Sequence, residues 1–352
     1  MTAKPSLLSA ARDKLRPYLP FAVKLCISGG LIYYLLRTQI GNSQDILAAM
    51  AQADPALLLL AFSLNTIGYL VCSWRWQILL RAQGFAVPLI ELIRAYTIGI
   101  FFNSFLPGLM SGDFMRAMDI SDRVPSYTRS FLILFVERLT GLFGLLILAL
   151  LALPLIGREV AFQSGIGWTL IAATCVLAGL TAVFFSKVLR RVMLYLTGWP
   201  LLRRLSGIIR NISETSDAFA SRIRVVYGCI GISVAFQANV VAHYFLIGQA
   251  LGIEVPFYAY FAIIPVSLFV LMIPATVNGI GIREHIFIYL FGQFGVAPQL
   301  ALSLAWIAFA MVLLQAVGGG IVFALRRKRP AAGPGGTMNP VAPLGAQDGA
   351  LN

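Results

Sequence analysis

The sequence predicts an all-α polytopic membrane protein with six spanning helices plus two oppositely oriented re-entrant helical hairpins, an inverted repeat. Three observations carry this fold class. Apolar residues make up 59% of the chain and the mean hydropathy is +0.84, which excludes an ordinary soluble domain. The apolar residues fall in long, unalternating runs, which excludes a β-barrel. One pattern, P-x4-G-x3-R, occurs twice: at Pro107, Gly112 and Arg116, and again 167 residues later at Pro274, Gly279 and Arg283. Each copy follows an apolar run too short to cross a bilayer. Short hydrophobic segments interrupted by Gly and Pro at corresponding positions point to the binding site of a transporter.

The long apolar runs lie at about 18–36, 56–74, 128–153, 163–186, 225–250 and 299–325. Each is long enough for ~30 Å of hydrocarbon. The first follows a basic N-terminus and lacks a small-residue cleavage site, so it reads as a retained anchor. Trp74, Arg75 and Trp76 close the second run and read as an interfacial anchor. Between the long runs lie 95–106, which would rise only ~18 Å as a helix, and 258–273, followed by a further apolar stretch from Ile286 to Phe294. The segment 199–224 has apolar residues at helical spacing with interleaved arginines. It reads as an amphipathic helix on the inner leaflet or packed on the end of the bundle. One transmembrane domain therefore covers 1–329, with repeat elements around 95–123 and 258–295. The Pro-, Gly- and Ala-rich 330–352 reads as a disordered tail.

Charge sets the orientation. Segments 1–17, 75–94, 107–129, 187–224 and 326–329 hold 22 of the 27 Lys and Arg residues. By the positive-inside rule these are cytoplasmic, as are both termini. The runs 95–106 and 258–295 then enter from opposite sides and return. The net charge of +13 is accounted for by these flanks and anionic headgroups rather than by nucleic acid, for which no motif is present.

An arginine at mid-bilayer costs ~2.5–3.5 kcal/mol, so Arg116 and Arg283 must face a polar cavity. A guanidinium there binds phosphate bidentately. The competing reading is internal pairing, with Asp113 three residues before Arg116 and Glu284 beside Arg283. Glu137 and Arg138 lie inside the run 128–153. Being adjacent, they point about 100° apart and need different partners. Glu137 is expected to pair with Arg116 or Arg283. Asn103 and Asn278 either line the cavity or bond broken backbone. The breaks themselves fall at Pro107, Gly108, Gly112, Pro274, Gly279 and Gly281, where glycine allows turns and close approach. His243 is expected to bond between helices, and His285 is a weaker proton-relay candidate. The four dispersed cysteines, with no CxxC, read as buried thiols. No metal site or cofactor is expected. No P-loop, G-x-S-x-G or HExxH is present, so the chain is read as a non-enzyme.

The blocks Asn103 to Arg116, Glu137-Arg138-Leu139-Thr140-Gly141 and Ile273 to Glu284 resemble, in order, three blocks of the lysylphosphatidylglycerol synthase transmembrane-region family, also called flippase-like membrane proteins. The resemblance covers roughly 15–327. Ser111 stands where the family usually has the first glycine of a pair. The resemblance implies a lipid substrate. It does not extend to the cytosolic aminoacyl-transfer domain of the bifunctional synthases, for which the residues after Arg329 are too few. The expected function is movement of an amphiphilic lipid between leaflets, of anionic-headgroup, polyprenyl or hopanoid type, in the cell (inner) membrane. The alternatives are a non-catalytic scaffold of a lipid-biosynthesis complex, with those proteins as partners, and a membrane-embedded lipid-headgroup transferase using the aspartates of 113–122.

Overall fold

The architecture was taken from a computed structural model, which describes residues 43–105, 111–124, 126–186, 206–273 and 279–325, together with Tyr33 and Val188. The predicted first span at 18–36, the tail 330–352, and Pro107, Gly108, Pro274 and Asn278 lie outside the described residues. All regular structure among the described residues is helical: α1 (Ser43–Ala51), α2 (Pro55–Ala82), α3 (Leu89–Phe105), α4 (Ser111–Asp119), α5 (Tyr127–Ile156), α6 (Arg158–Gln163), α7 (Ile166–Phe185), α8 (Ser206–Ser221), α9 (Ile223–Ala250), α10 (Phe257–Leu271), α11 (Ile282–Gly292) and α12 (Pro298–Leu325).

Five helices, α2, α5, α7, α9 and α12, are long and apolar enough to cross a membrane. They coincide with five of the six apolar runs. Local chemistry starts two of them. Asp54 caps α2, accepting the Ala56 N–H at 2.8 Å, with Pro55 in the first turn. Ser126 caps α5 through the Arg129 N–H at 3.1 Å. Both caps occupy backbone donors that have no partner within the helix.

The helix α5 is the strut around which the others gather. It touches α2, α4, α7, α9 and α10, while α12 packs on α3 and α11. Polar ties across the spans fix the neighbours: His243 Nδ1 meets the Ala61 carbonyl at 2.8 Å, and Asn239 Nδ2 donates to the Leu64 carbonyl at 2.9 Å. Both join α9 to α2, as expected for His243.

Two sequence readings change here, and one that stood between two alternatives is decided. The short run read as 95–106 is part of a 17-residue helix, α3, which starts after Pro88 and takes in the polar Glu91 and Arg94. Arg123 pairs with Glu91 at 3.0 Å and Arg94 with Asp119 at 3.5 Å, tying the start of α3 to the far end of α4. The described part of the amphipathic segment, α8, packs on the bundle: Phe219 is buried, and Gln83 Nε2 donates to the Thr215 carbonyl at 3.1 Å. Cys72 and Cys229 are buried, but Cys175 is exposed on an apolar face of α7.

Candidate functional site

The helix α4 is nine residues long and puts its charge inward. Asp113, Arg116 and Ala117 are buried, while Phe114 and Met118 are exposed. It lies so close to α3 that a Cβ on Gly112 would collide with the Gly99 carbonyl and stand 2.6 Å from the Asn103 side chain. Asn103 Oδ1 accepts the Gly112 N–H at 2.8 Å, and Ser111 Oγ donates to the Phe102 carbonyl at 3.1 Å. Asn103 therefore serves broken backbone, one of its two predicted roles, while also lining the cavity described below.

Arg116 is held between two aromatic rings and two carboxylates. Its guanidinium lies 4.4 Å from the Trp76 ring and 4.3 Å from the Tyr96 ring. Nη1 donates to Asp113 at 3.2 Å and to Glu137 at 3.5 Å. Glu137 also accepts Arg75 Nη2, and Asp113 accepts Arg138 Nε. Arg75 Nη1 donates to Ser233 Oγ at 2.5 Å. Gly141, one turn beyond Glu137, faces the same guanidinium, and a Cβ there would make an ordinary contact with Arg75 Nη2 at 3.4 Å. Two carboxylates and three arginines from α2, α4 and α5 thus form one network, buried except at Arg138, whose side chain is 33% exposed. Glu137 and Arg138 have different partners, as their 100° separation requires.

The second repeat is built otherwise. Gly279 and Gly281 take φ of +74° and +90° before α11 begins, a region costly for any residue with a Cβ. Glu284 is buried and spends Oε2 on the Gly281 N–H at 2.6 Å. It caps its own helix, where the sequence had offered it as the counter-charge to Arg283. The Arg283 guanidinium instead lies 4.4 Å from the Phe309 ring of α12. His285 Nδ1 meets the Gly281 carbonyl at 2.7 Å.

Both repeats open on one cavity of ≈ 480 Å³, lined by Arg75, Arg116, Arg138, Arg283, Asp113 and Glu137. Tyr69, Tyr96, Tyr244, Asn103, Ser104 and Gln237 add polar groups, and Leu268, Leu271, Met272 and Val312 give it an apolar wall. Its size is that of a small-molecule site, ~300–1,000 Å³. The reading of Trp74-Arg75-Trp76 as an anchor is corrected: Trp74 is exposed, whereas Arg75 and Trp76 are buried against the network. No signal in the sequence marked Arg75, because Glu137 already had candidate partners in Arg116 and Arg283. The three aspartates of 113–122 do not act as a cluster either: Asp113 joins the network and Asp119 pairs with Arg94.

These features define a multi-pass helical membrane protein with a charged internal cavity. The chain belongs to the lysylphosphatidylglycerol synthase TM region family, which it matches over residues 21–319. It is 23% identical to a UPF0104 membrane protein of Pyrococcus horikoshii over 326 residues, 86% of this chain and 97% of that one. A UPF0104 membrane protein of Methanothermobacter thermautotrophicus is 23% identical over 284 residues, covering 74% and 80% of the two chains. No solved structure matches significantly.

Proposed function

We propose that this protein is a flippase-like transporter that moves an amphiphilic lipid between the leaflets of the cell (inner) membrane, with both termini cytoplasmic. The observation that carries this reading is the convergence of the two P-x4-G-x3-R elements on one cavity, with Arg116 from α4 and Arg283 from α11 in its wall. In this reading α3/α4 and α10/α11 are the two opposed re-entrant hairpins, meeting near the midplane. The headgroup sits against the arginines, which stay charged because the cavity is polar. The acyl or polyprenyl chains remain among the apolar residues outside. The protein supplies a path and carries out no bond chemistry.

The test is reconstitution into liposomes containing fluorescent short-chain lipids, with and without a proton gradient. A quencher added outside reads the leaflet exchange. Wild type is expected to exchange lipid, and Arg283→Gln to lose it by about tenfold or more, on the scale of one lost charged contact. Equal rates for wild type, Arg283→Gln and protein-free liposomes would refute transport.

A further inference from the structure

We infer that the seam between α2 and α12 is a lateral slot for the hydrocarbon chains of the transported lipid, and that Gln315, Asn65 and Thr66 form the clasp that closes it. The inference rests on the transport reading for its lipid and adds the route that the chains take.

Gln315 spends both ends of its amide across the seam. Its Oε1 accepts Asn65 Nδ2 at 2.9 Å, and its Nε2 donates to Thr66 Oγ1 at 2.8 Å. Thr66 Oγ1 in turn donates to the Phe62 carbonyl of its own helix at 2.9 Å. Polar side chains within membrane helices need partners. These three meet one another, side chain to side chain, whereas the ties from α9 to α2 end on backbone carbonyls. The flanks of the seam are built differently. A Cβ on Gly319 of α12 would collide with the Thr97 carbonyl of α3, and a Cβ on Gly68 of α2 would stand 3.0 Å from the Phe236 ring of α9. α2 packs on α3, α5 and α9, and α12 packs on α1, α3, α9 and α11. Among the described residues α2 and α12 are not themselves a packed pair, and the clasp joins them.

The clasp stands beside the cavity rather than at one end of it. Asn65 Nδ2 lies 3.5 Å from the Tyr69 hydroxyl, and Tyr69 lines the cavity, as does Val312, three residues before Gln315. Arg75 lies ten residues further along α2, ~15 Å away in a helix. In the other direction Ala61 meets His243, whose neighbour Tyr244 lines the cavity 5.6 Å from the Phe287 ring of α11. Asn65 is therefore level with the stretch between the network that holds Arg116 and the helix that carries Arg283. On the outer side of the seam Thr66, Ile67, Leu70, Leu314 and Val317 are exposed, an apolar surface broken by one hydroxyl. A headgroup that travels this stretch needs an opening beside it, because its chains keep their apolar surroundings only outside the charged cavity. Parting the clasp exchanges side-chain partners and orphans no backbone group. An intramembrane hydrogen bond of this kind is worth about threefold in an equilibrium constant, weak enough to break and re-form.

The experiment bridges the seam reversibly. Full-length Asn65→Cys/Gln315→Cys in liposomes is joined by a short bis-methanethiosulfonate reagent and released by reductant. Peptide mass spectrometry confirms the bridge, and the two single-cysteine variants, treated identically, control for the native thiols. Thr66→Cys/Gln315→Cys takes its place where the first pair does not fold. One readout is leaflet exchange of fluorescent short-chain lipids. The other is photolabelling of Glu137 and Gln237, which are buried and line the cavity, by a phosphatidylethanolamine with a diazirine on its headgroup. The bridge is expected to abolish exchange and labelling, and reductant to restore both, while the single-cysteine variants keep both. Exchange that persists in the bridged protein overturns the slot and leaves transport standing. Labelling that persists after bridging overturns the slot, and so does its absence before bridging. Where wild type shows no exchange, the transport reading fails and the labelling alone decides the slot.

Discussion

In the first copy of P-x4-G-x3-R the glycine lies inside a helix, and in the second it lies before one. Gly112 is the second residue of α4, with Arg116 a full turn further in. Gly279 precedes α11 at φ +74°, and Arg283 is the second residue of that helix. The same spacing therefore asks glycine for two different things. Gly112 supplies absence of volume, so that α3 and α4 can touch. Gly279 supplies a backbone angle. The arginines differ as well: Arg116 sits in a network of ions and rings from α2, α3, α4 and α5, whereas Arg283 lies against the Phe309 ring of α12. A repeated pattern can preserve where a cation must arrive while leaving free how the chain delivers it.

The largest expected effect tests the first network. Glu137→Ala leaves Arg75 and Arg116 buried without their shared carboxylate, a loss of about 3–5 kcal/mol. A fall in the thermal unfolding midpoint in detergent should report it, and Glu284→Gln should give a much smaller fall because its partner is a backbone N–H. A stable Glu137→Ala protein would dissolve the contrast between the repeats.

Gly112→Ala comes next. Its methyl would strike the Gly99 carbonyl and the Asn103 side chain, and overpacking of this kind costs about 1–3 kcal/mol or more. Gly279→Ala should cost about 1–2 kcal/mol from the left-handed backbone, since the neighbouring Leu271 Cδ2 at 2.7 Å belongs to a side chain that can turn. Gly279→Asn separates the two causes: asparagine tolerates this backbone region, and it should recover part of the loss that Gly112→Asn cannot. Thermal unfolding of the four variants checks the order.

Asn103→Ala removes a helix-start acceptor and should cost about 1 kcal/mol, seen as a small shift in the same measurement. An effect of similar size is expected of Arg283→Gln, whose contact with the Phe309 ring is worth about 0.5–2 kcal/mol.

Much of this was legible beforehand. Five apolar runs marked the five long helices, because length and composition alone decide whether a helix can span. The pairing of Arg116 with Asp113 followed from their three-residue spacing, and the different partners of Glu137 and Arg138 followed from their adjacency. Arg75 was not legible. A Trp-Arg-Trp triplet at the end of an apolar run has the composition of a membrane-surface anchor, and successive helical residues point 100° apart. Composition cannot say which of the three faces outward. Glu284 was misread for a related reason: adjacency to Arg283 suggested a pair, but the opening of α11 offered its carboxylate a nearer backbone donor.

By itself the sequence determined the all-helical membrane class, the long helices and the two interrupted segments, since those depend on apolar length and on local breakers. Only the tertiary structure decided that α2, α4 and α5 share two carboxylates among three arginines, and that α11 brings a fourth arginine to the same cavity. The physical reason is that a buried charge is tolerated only where its partners converge. Those partners come from segments tens to hundreds of residues apart, and their meeting is set by helix packing, which local sequence does not encode.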